Sequence, residues 1–282
     1  REAEFLSVRT ERLDQLQSLA GEMMIQMLLL DEALDQSGLL EVKEGIAHQI
    51  NRLVTQVERT VMAIRMVPVE RIVPKLRRIL RDICRDQKKE VELVVNCGDI
   101  EADTGVVDII SEAMMHMLRN AVDHGIEAPE ERAAAGNDRK GKITFTVEST
   151  VGELIVSLED DGCGIDIERV REQARAKGLF VRPEETYDRQ EVIGMILCPG
   201  FTTSDAVTEY SGRGVGLDVV KNILEGVGGN LYIQSERGNG TCFTLTMPLT
   251  LANMECVRFK VGDYRMSVPA RQVFQFLDYS VS

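Results

Sequence analysis

Within the first 66 residues, apolar side chains recur at alternating steps of three and four: Leu13, Leu16, Ala20, Met23, Met27, Leu30 and Leu34. A second series follows the same rhythm through Ile46, Ile50, Leu53, Val57, Thr60 and Ile64. Such spacing holds one stripe in line along a helix, as a coiled-coil seam requires. Between the two series, Asp35-Gln36-Ser37-Gly38 reads as a helix stop and turn, which predicts an antiparallel helical hairpin. A lone hairpin of this length buries little, so the long seam predicts pairing with a second copy into a four-helix bundle. His48, among Gln49, Asn51 and Arg52, reads as a surface histidine.

The pattern changes at Pro68 and Pro74. A helix is predicted over 73–87, with Leu76, Ile79, Leu80 and Ile83 inward, and a strand over 89–95. A helix ending near Gly125 comes next, then strands over 142–148 and 154–159 turned at Val151-Gly152. Helices over 167–177 and 216–227 precede strands over 230–235 and 241–247, which are joined by a glycine-bearing turn. Alternation of this kind predicts an α/β sandwich, a mixed sheet with helices on one face. Residues 256–269 alternate like a hairpin with Gly262-Asp263 at its turn. The expected class is α+β: a helical dimerisation hairpin (1–66), a sandwich domain (67–248) and a short third part (249–282).

Composition narrows the field. A chain of 282 residues fits about two domains, and 44% hydrophobic residues are enough for a true core. The longest apolar run in the first helix, near 23–30, is broken by Gln26, and the opening Arg1-Glu2-Ala3-Glu4 is unlike a signal peptide, so no membrane insertion is expected. Six cysteines without any C-x-x-C argue against zinc and against a disulfide framework, and fit a reducing cytoplasm. A net charge of −13 argues against nucleic-acid binding.

Three segments carry chemistry. On the helix before Gly125, His116, Asn120 and Asp123 stand at i, i+4 and i+7 on one face, with Met117, Leu118, Ala121 and Val122 free to enter a core. Gly125 is expected to end the helix by taking the left-handed conformation. A carboxamide oxygen suits Mg²⁺, which prefers hard oxygen ligands; alone, this face fits a solvated helix equally well. Directly after a strand comes Asp160-Asp161-Gly162-Cys163-Gly164, able to present a carboxylate to an exocyclic amine while glycine backbone passes a flat ring. Taken alone it is also a plain acidic turn. Then Ser211-Gly212-Arg213-Gly214-Val215-Gly216-Leu217 leads into a helix, where alternate glycines leave N–H groups free for phosphate and Arg213 adds charge. It is neither a Walker A loop nor a dinucleotide fingerprint.

In this order and on these elements, the three segments resemble the ATP-binding domain shared by histidine kinases, type II topoisomerases, mismatch-repair ATPases and certain chaperones. Longer stretches resemble the chemotaxis histidine kinases of the CheA family: 118–127, 198–203, 211–221 and Ile64-Arg65-Met66-Val67-Pro68. The resemblance implies ATP and Mg²⁺ as cofactors. It implies a catalytic set of His116, Arg119 and Asn120, with Asn120 as metal ligand. Asp160 would accept from the adenine amino group, with Gly162 and Gly164 beside the ring. Ser211, Gly212, Arg213, Gly214, Val215, Gly216 and Leu217 would line the phosphates, and Asp123 would complete the cofactor set. The segment 199–211 would be a lid anchored by Phe201. It carries no Lys or Arg, leaving Arg213, Lys221 and Mg²⁺ to supply the positive charge.

Related hydrolytic ATPases carry Glu where His116 stands, so the resemblance implies transfer rather than hydrolysis, with His116 as a base. None of the three histidines has an acceptor context. The implied activity is therefore transfer of the γ-phosphoryl group to a histidine on a separate phosphotransfer domain, which feeds response regulators. The implied assembly is a homodimer. The third part resembles the start of a regulatory domain that binds a CheW-like adaptor and couples to chemoreceptors, although about thirty residues cannot form that barrel. A hydrolytic ATPase clamp and a non-catalytic nucleotide-binding dimeric scaffold are the alternatives.

Overall fold

The computed structural model describes residues 10–37, 45, 47–201, 217–249, 256–262, 264–269 and 273. The chain forms two compact units, residues 1–65 with 250–282, and Met66–Leu249.

In the first unit, α1 (Thr10–Ser37) and α2 (His48–Arg65) lie side by side. Helix α1 runs on through Asp35, Gln36 and Ser37, where the Ser37 hydroxyl donates to the Ala33 carbonyl at 2.7 Å. The seam is divided between two faces. Ala20, Met27 and Leu34 are buried, as are Ala47, Val54 and Val61, every seventh residue in each helix. Leu16, Met23 and Leu30 stay exposed, and so do Ile50, Leu53, Val57 and Ile64, with Leu53 at 62%. In the second helix the buried series is therefore Ala47-Val54-Val61 rather than the predicted one. In α2 and at the residue before it, the smaller side chains Ala47, Val54 and Val61 are buried, while the larger Ile50, Leu53 and Ile64 stay exposed. Arg65 pairs with Asp14 at 2.8 Å. Ile46 lies outside the described residues.

The second unit opens with β1 (Met66–Pro68), then α3 (Val73–Gln87), β2 (Val91–Asn96) and β3 (Glu101–Asp103). Strands β1 and β3 form a small antiparallel pair that the periodicity did not predict, since three residues are too few to show alternation. Pro74 sits in the first turn of α3, where a missing N–H costs nothing. Helix α4 (Thr104–Asn120), capped by Asp103, is followed by α5 (Pro129–Ala134), β4 (Gly141–Ser149), β5 (Glu153–Asp160), α6 (Ile167–Ala176), α7 (Arg189–Gly194), α8 (Leu217–Gly226), β6 (Asn230–Glu236) and β7 (Gly240–Pro248).

The sheet order is β2-β4-β5-β7-β6, with β2 parallel to β4 and every other pair antiparallel. On β5, Leu154, Val156 and Leu158 face the core, and period two puts Asp160 on that same buried face. Helix α4 packs over it through Ile110, Met114, Met117 and Leu118, joined by Leu76 and Leu80 of α3 and Val220 and Leu224 of α8. A smaller core of Val170, Ala174, Val192, Met195 and Phe201 lies beside α6 and α7. Strands β8 (Cys256–Val261) and β9 (Tyr264–Pro269) form a hairpin with Gly262 at φ 61°. Among the described residues no helix is long and apolar enough to cross a membrane.

Candidate functional site

Helix α4 stops at Asn120, and the chain continues as a single π-helical turn, Ala121–Gly125, closed by Ile126 N–H on the Ala121 carbonyl at 2.8 Å. His116 and Asn120 stand at i and i+4 on α4, while Asp123 lies in the π-helical turn beyond it. The wider turn shifts the i+7 register, and the Asp123 carboxylate accepts from Gln87 Nε2 at the end of α3. Lys89 Nζ donates to the Val122 carbonyl at 2.6 Å, so the end of α3 holds this turn at two points. Gly125 is not left-handed either. Its reason is space: a Cβ there would stand 2.9 Å from Asp160 Oδ1.

Asp160 is 2% exposed. Gly162 N–H donates to its Oδ1 at 3.1 Å, and Cys163 N–H donates to the Gly125 carbonyl at 2.9 Å. A Cβ on Gly162 would meet the Gly125 carbonyl oxygen at 2.1 Å. Gly164 has φ 70°, and a Cβ there would meet the Glu236 carbonyl at 2.2 Å. The turn after β5 is thus pressed between the π-helical turn and the β6–β7 turn at backbone contact. Burial pushes the Asp160 carboxyl up to about 6; backbone hydrogen bonds from Gly162 and Thr241 oppose the shift, and the charges of Asp161 and Glu127 add to it.

Arg132, on the inward side of α5, is the site residue that the sequence reading missed. It is 2% exposed. Its Nε donates to the Asp138 carbonyl at 2.8 Å and its Nη1 to Glu127 Oε2 and the Asp161 carbonyl, each at 3.1 Å. Its Nη2 reaches Asp161 Oδ2 at 2.9 Å. The available signal was an arginine three residues after Pro129, both on the buried face of a short helix.

His116 lines a cleft between α4 and α8 with Ile109, Glu112, Ala113, Val220 and Ile223. Burial pushes its imidazole below the ordinary value; Glu112 opposes the shift and Arg119 reinforces it. This favours the neutral imidazole, the form that can accept a proton. Arg119 itself is exposed. The half-buried Asn120 carboxamide makes no hydrogen bond among the described residues. Among the described residues no cluster of three His, Cys, Asp or Glu is arranged for a metal, so within them a cation at this helix end would draw on oxygens from its own ligand and water. That is the usual manner of Mg²⁺.

Ser211, Gly212, Arg213, Gly214, Val215 and Gly216 lie outside the described residues. The two flanks of that segment meet. Gly200 N–H donates to Asp218 Oδ2 at 3.1 Å, Lys177 Nζ donates to the Gly200 carbonyl, and Phe201 is buried. Leu217 opens α8. Cys84, Cys97, Cys163, Cys198 and Cys242 are free thiols.

Residues 109–251 match the histidine kinase-, DNA gyrase B-, and HSP90-like ATPase family, and the chain belongs to that family. Over nearly its whole length it resembles one kind of member, chemotaxis protein CheA. It is 36% identical over 274 residues to CheA of Halobacterium salinarum, covering 96% of this chain and 41% of that protein. It is 35% identical over 280 residues to CheA of Rhizobium meliloti, covering 98% and 37%. The chain thus spans about two fifths of the length of these relatives. The catalytic domain of histidine kinase ThkA aligns with a TM-score of 0.42 at 18% identity, covering 66% of this chain and 95% of that one.

Proposed function

We propose that this chain is the dimerisation and kinase portion of a chemotaxis histidine kinase, with domains at 1–66 and 67–248 and the start of a regulatory domain at 249–282. It binds ATP and passes the γ-phosphoryl group to a histidine on a separate phosphotransfer domain. The observation that carries this reading is the buried Asp160 carboxylate, roofed by glycines at backbone contact. Such a carboxylate can accept a hydrogen bond from an exocyclic amine. Gly162 and Gly164 border the adenine ring, and residues 211–217 follow the phosphates. The Asn120 carboxamide oxygen holds Mg²⁺, which when bound neutralises charge on the phosphates. Calorimetric titration with ATP tests the nucleotide half of the proposal: the unaltered chain binds, and Asp160→Ala does not.

His116, favoured as the neutral imidazole and one turn before Asn120 on α4, takes the proton of the incoming imidazole or orients it. His116→Gln is expected to slow transfer by on the order of 10²-fold at unchanged ATP affinity, measured in single turnovers. A full transfer rate would remove the base role. In this reading the acceptor is a histidine of a separate phosphotransfer domain rather than His48 or His124, and response regulators receive the group next.

The exposed faces of α1 and α2, with Leu16, Met23, Leu30, Ile50, Leu53, Val57 and Ile64, form the homodimer bundle. Leu53→Glu is expected to raise the dimer dissociation constant by about 10²-fold or more, because each dimer loses two buried leucines. Sedimentation checks this, with helix content unchanged. Adaptor and chemoreceptor binding belong to the whole protein.

A further inference from the structure

We propose that Arg132 is a positioning residue of the nucleotide site: by holding Glu127 and Asp161 it fixes the segments carrying Gly125 and Asp160 and screens Asp160 from two neighbouring negative charges. The inference rests on the reading of Asp160 as the nucleotide's amine acceptor.

The geometry comes first. Four separate pieces of chain converge on one guanidinium: α5, which carries it, Glu127 after the π-helical turn, Asp138 before β4, and Asp161 at the end of β5. Asp161 is anchored a second time, since its Oδ1 accepts from Lys142 N–H at 2.8 Å and its own N–H donates to the Lys142 carbonyl at 3.1 Å. A fork with several fixed donors can bridge all of these at once, and a lysine ammonium cannot. The fit at Asp160 needs that precision, because Gly125 and Gly162 approach at distances that leave no space for a methyl group.

Asp160 is faced by Asp161 from its own strand end and by Glu127 from the segment after the π-helical turn, and both favour its protonated form. The Cys163 thiol lies on the following turn and the Cys242 thiol on β7, both uncharged because burial pushes them up. Lys89, at the end of α3, acts on Cys163. Arg132, from α5, is the cation bound to both carboxylates. Only an ionised Asp160 accepts two hydrogen bonds and offers none of its own, so the site binds an amine above the carboxyl midpoint and loses it as pH falls through it. Removing Arg132 exposes Asp160 to two negative charges, raises the midpoint and moves the loss toward neutral pH. Removing one of the carboxylates does the reverse.

The test uses the full chain, with ADP affinity followed by calorimetry from pH 5 to 8 and the Asp160 midpoint read by carboxyl ¹³C NMR without nucleotide. Arg132→Gln is expected to raise the midpoint by about one unit. ADP binding at pH 7 should fall about twofold through the midpoint shift and recover at pH 8, because the ionised fraction of Asp160 drops from about nine tenths to about one half at pH 7. Glu127→Gln, which keeps a hydrogen-bonding partner for Arg132, should lower the midpoint and extend binding to lower pH. An affinity loss equal at every pH, with both midpoints unmoved, would mean that Arg132 only supports the fold, and overturns the inference. If Arg132→Gln does not fold, Glu127→Gln decides by its opposite shift: a lowered Asp160 midpoint supports the inference, and an unmoved one overturns it. If the unaltered chain binds no ADP at any pH, the nucleotide reading fails, and the NMR midpoints still decide whether Arg132 screens Asp160.

Discussion

Replacing Asn120 with alanine is expected to cut Mg²⁺-dependent phosphorylation of an acceptor by on the order of 10²-fold or more while leaving the fold intact. The two halves of this expectation come from different features of one residue. Core contacts of the last turn of α4 are made by Met117 and Leu118, and those of the next turn by Ala121 and Val122. The Asn120 carboxamide joins none of the described hydrogen bonds, so its loss leaves no buried group unpaired. A substitution of that kind stays within about 0.5 kcal/mol. Its chemical part is large, because phosphoryl transfer depends on positioned charge more than on any covalent role for the protein. Phosphorylation assays and a thermal melt on the same preparation check both halves. Full activity in Asn120→Ala would remove the metal-ligand role.

Gly162→Ala is expected to have the reverse signature, with stability and binding falling together. The added methyl would stand 2.1 Å from the Gly125 carbonyl oxygen and 2.4 Å from its carbon, and both neighbours are backbone. Neither can rotate away. Either the π-helical turn moves, which breaks the Lys89 contact to Val122, or the turn after β5 moves, which displaces Asp160. Overpacking against backbone costs about 3 kcal/mol, which lowers Tm by about 6 to 12 °C in a unit of this size. ADP binding should be lost with it. Gly194→Ala, where a Cβ meets nothing within 4 Å, is the control and should shift Tm by no more than a few degrees. Equal behaviour of the two variants would contradict the packing described here.

The parts that were legible from sequence share a physical cause. The series Leu154, Val156, Leu158 could be read as a one-sided strand because the sheet has helices on a single face; that the same alternation carries on to bury Asp160 is seen only in the structure. Helix α3 was readable over its whole length for the same reason, with Leu76, Leu80 and Ile83 on one stripe. The missed features are set by contacts between distant segments. No local pattern announces a π-helical turn after Asn120. It is held by Gln87 and Lys89, more than thirty residues earlier, and by the Asp160 carboxylate against Gly125. Arg132 was invisible because its four hydrogen bonds go to three residues elsewhere in the chain, Glu127, Asp138 and Asp161. In the hairpin, the seam was visible in both helices, but spacing alone does not say which half faces the helix of the same chain. Ala47 and Val54, smaller than Ile50 and Leu53, take that side.

The most direct measurement mixes this chain with Mg²⁺, ATP labelled at the γ-phosphate and a separate histidine-phosphotransfer domain, then follows the label. The account predicts acid-labile label on the acceptor's histidine, dependent on Asn120 and Asp160. Label found only in free phosphate, with the acceptor unmodified, would contradict it and make the chain a hydrolytic ATPase.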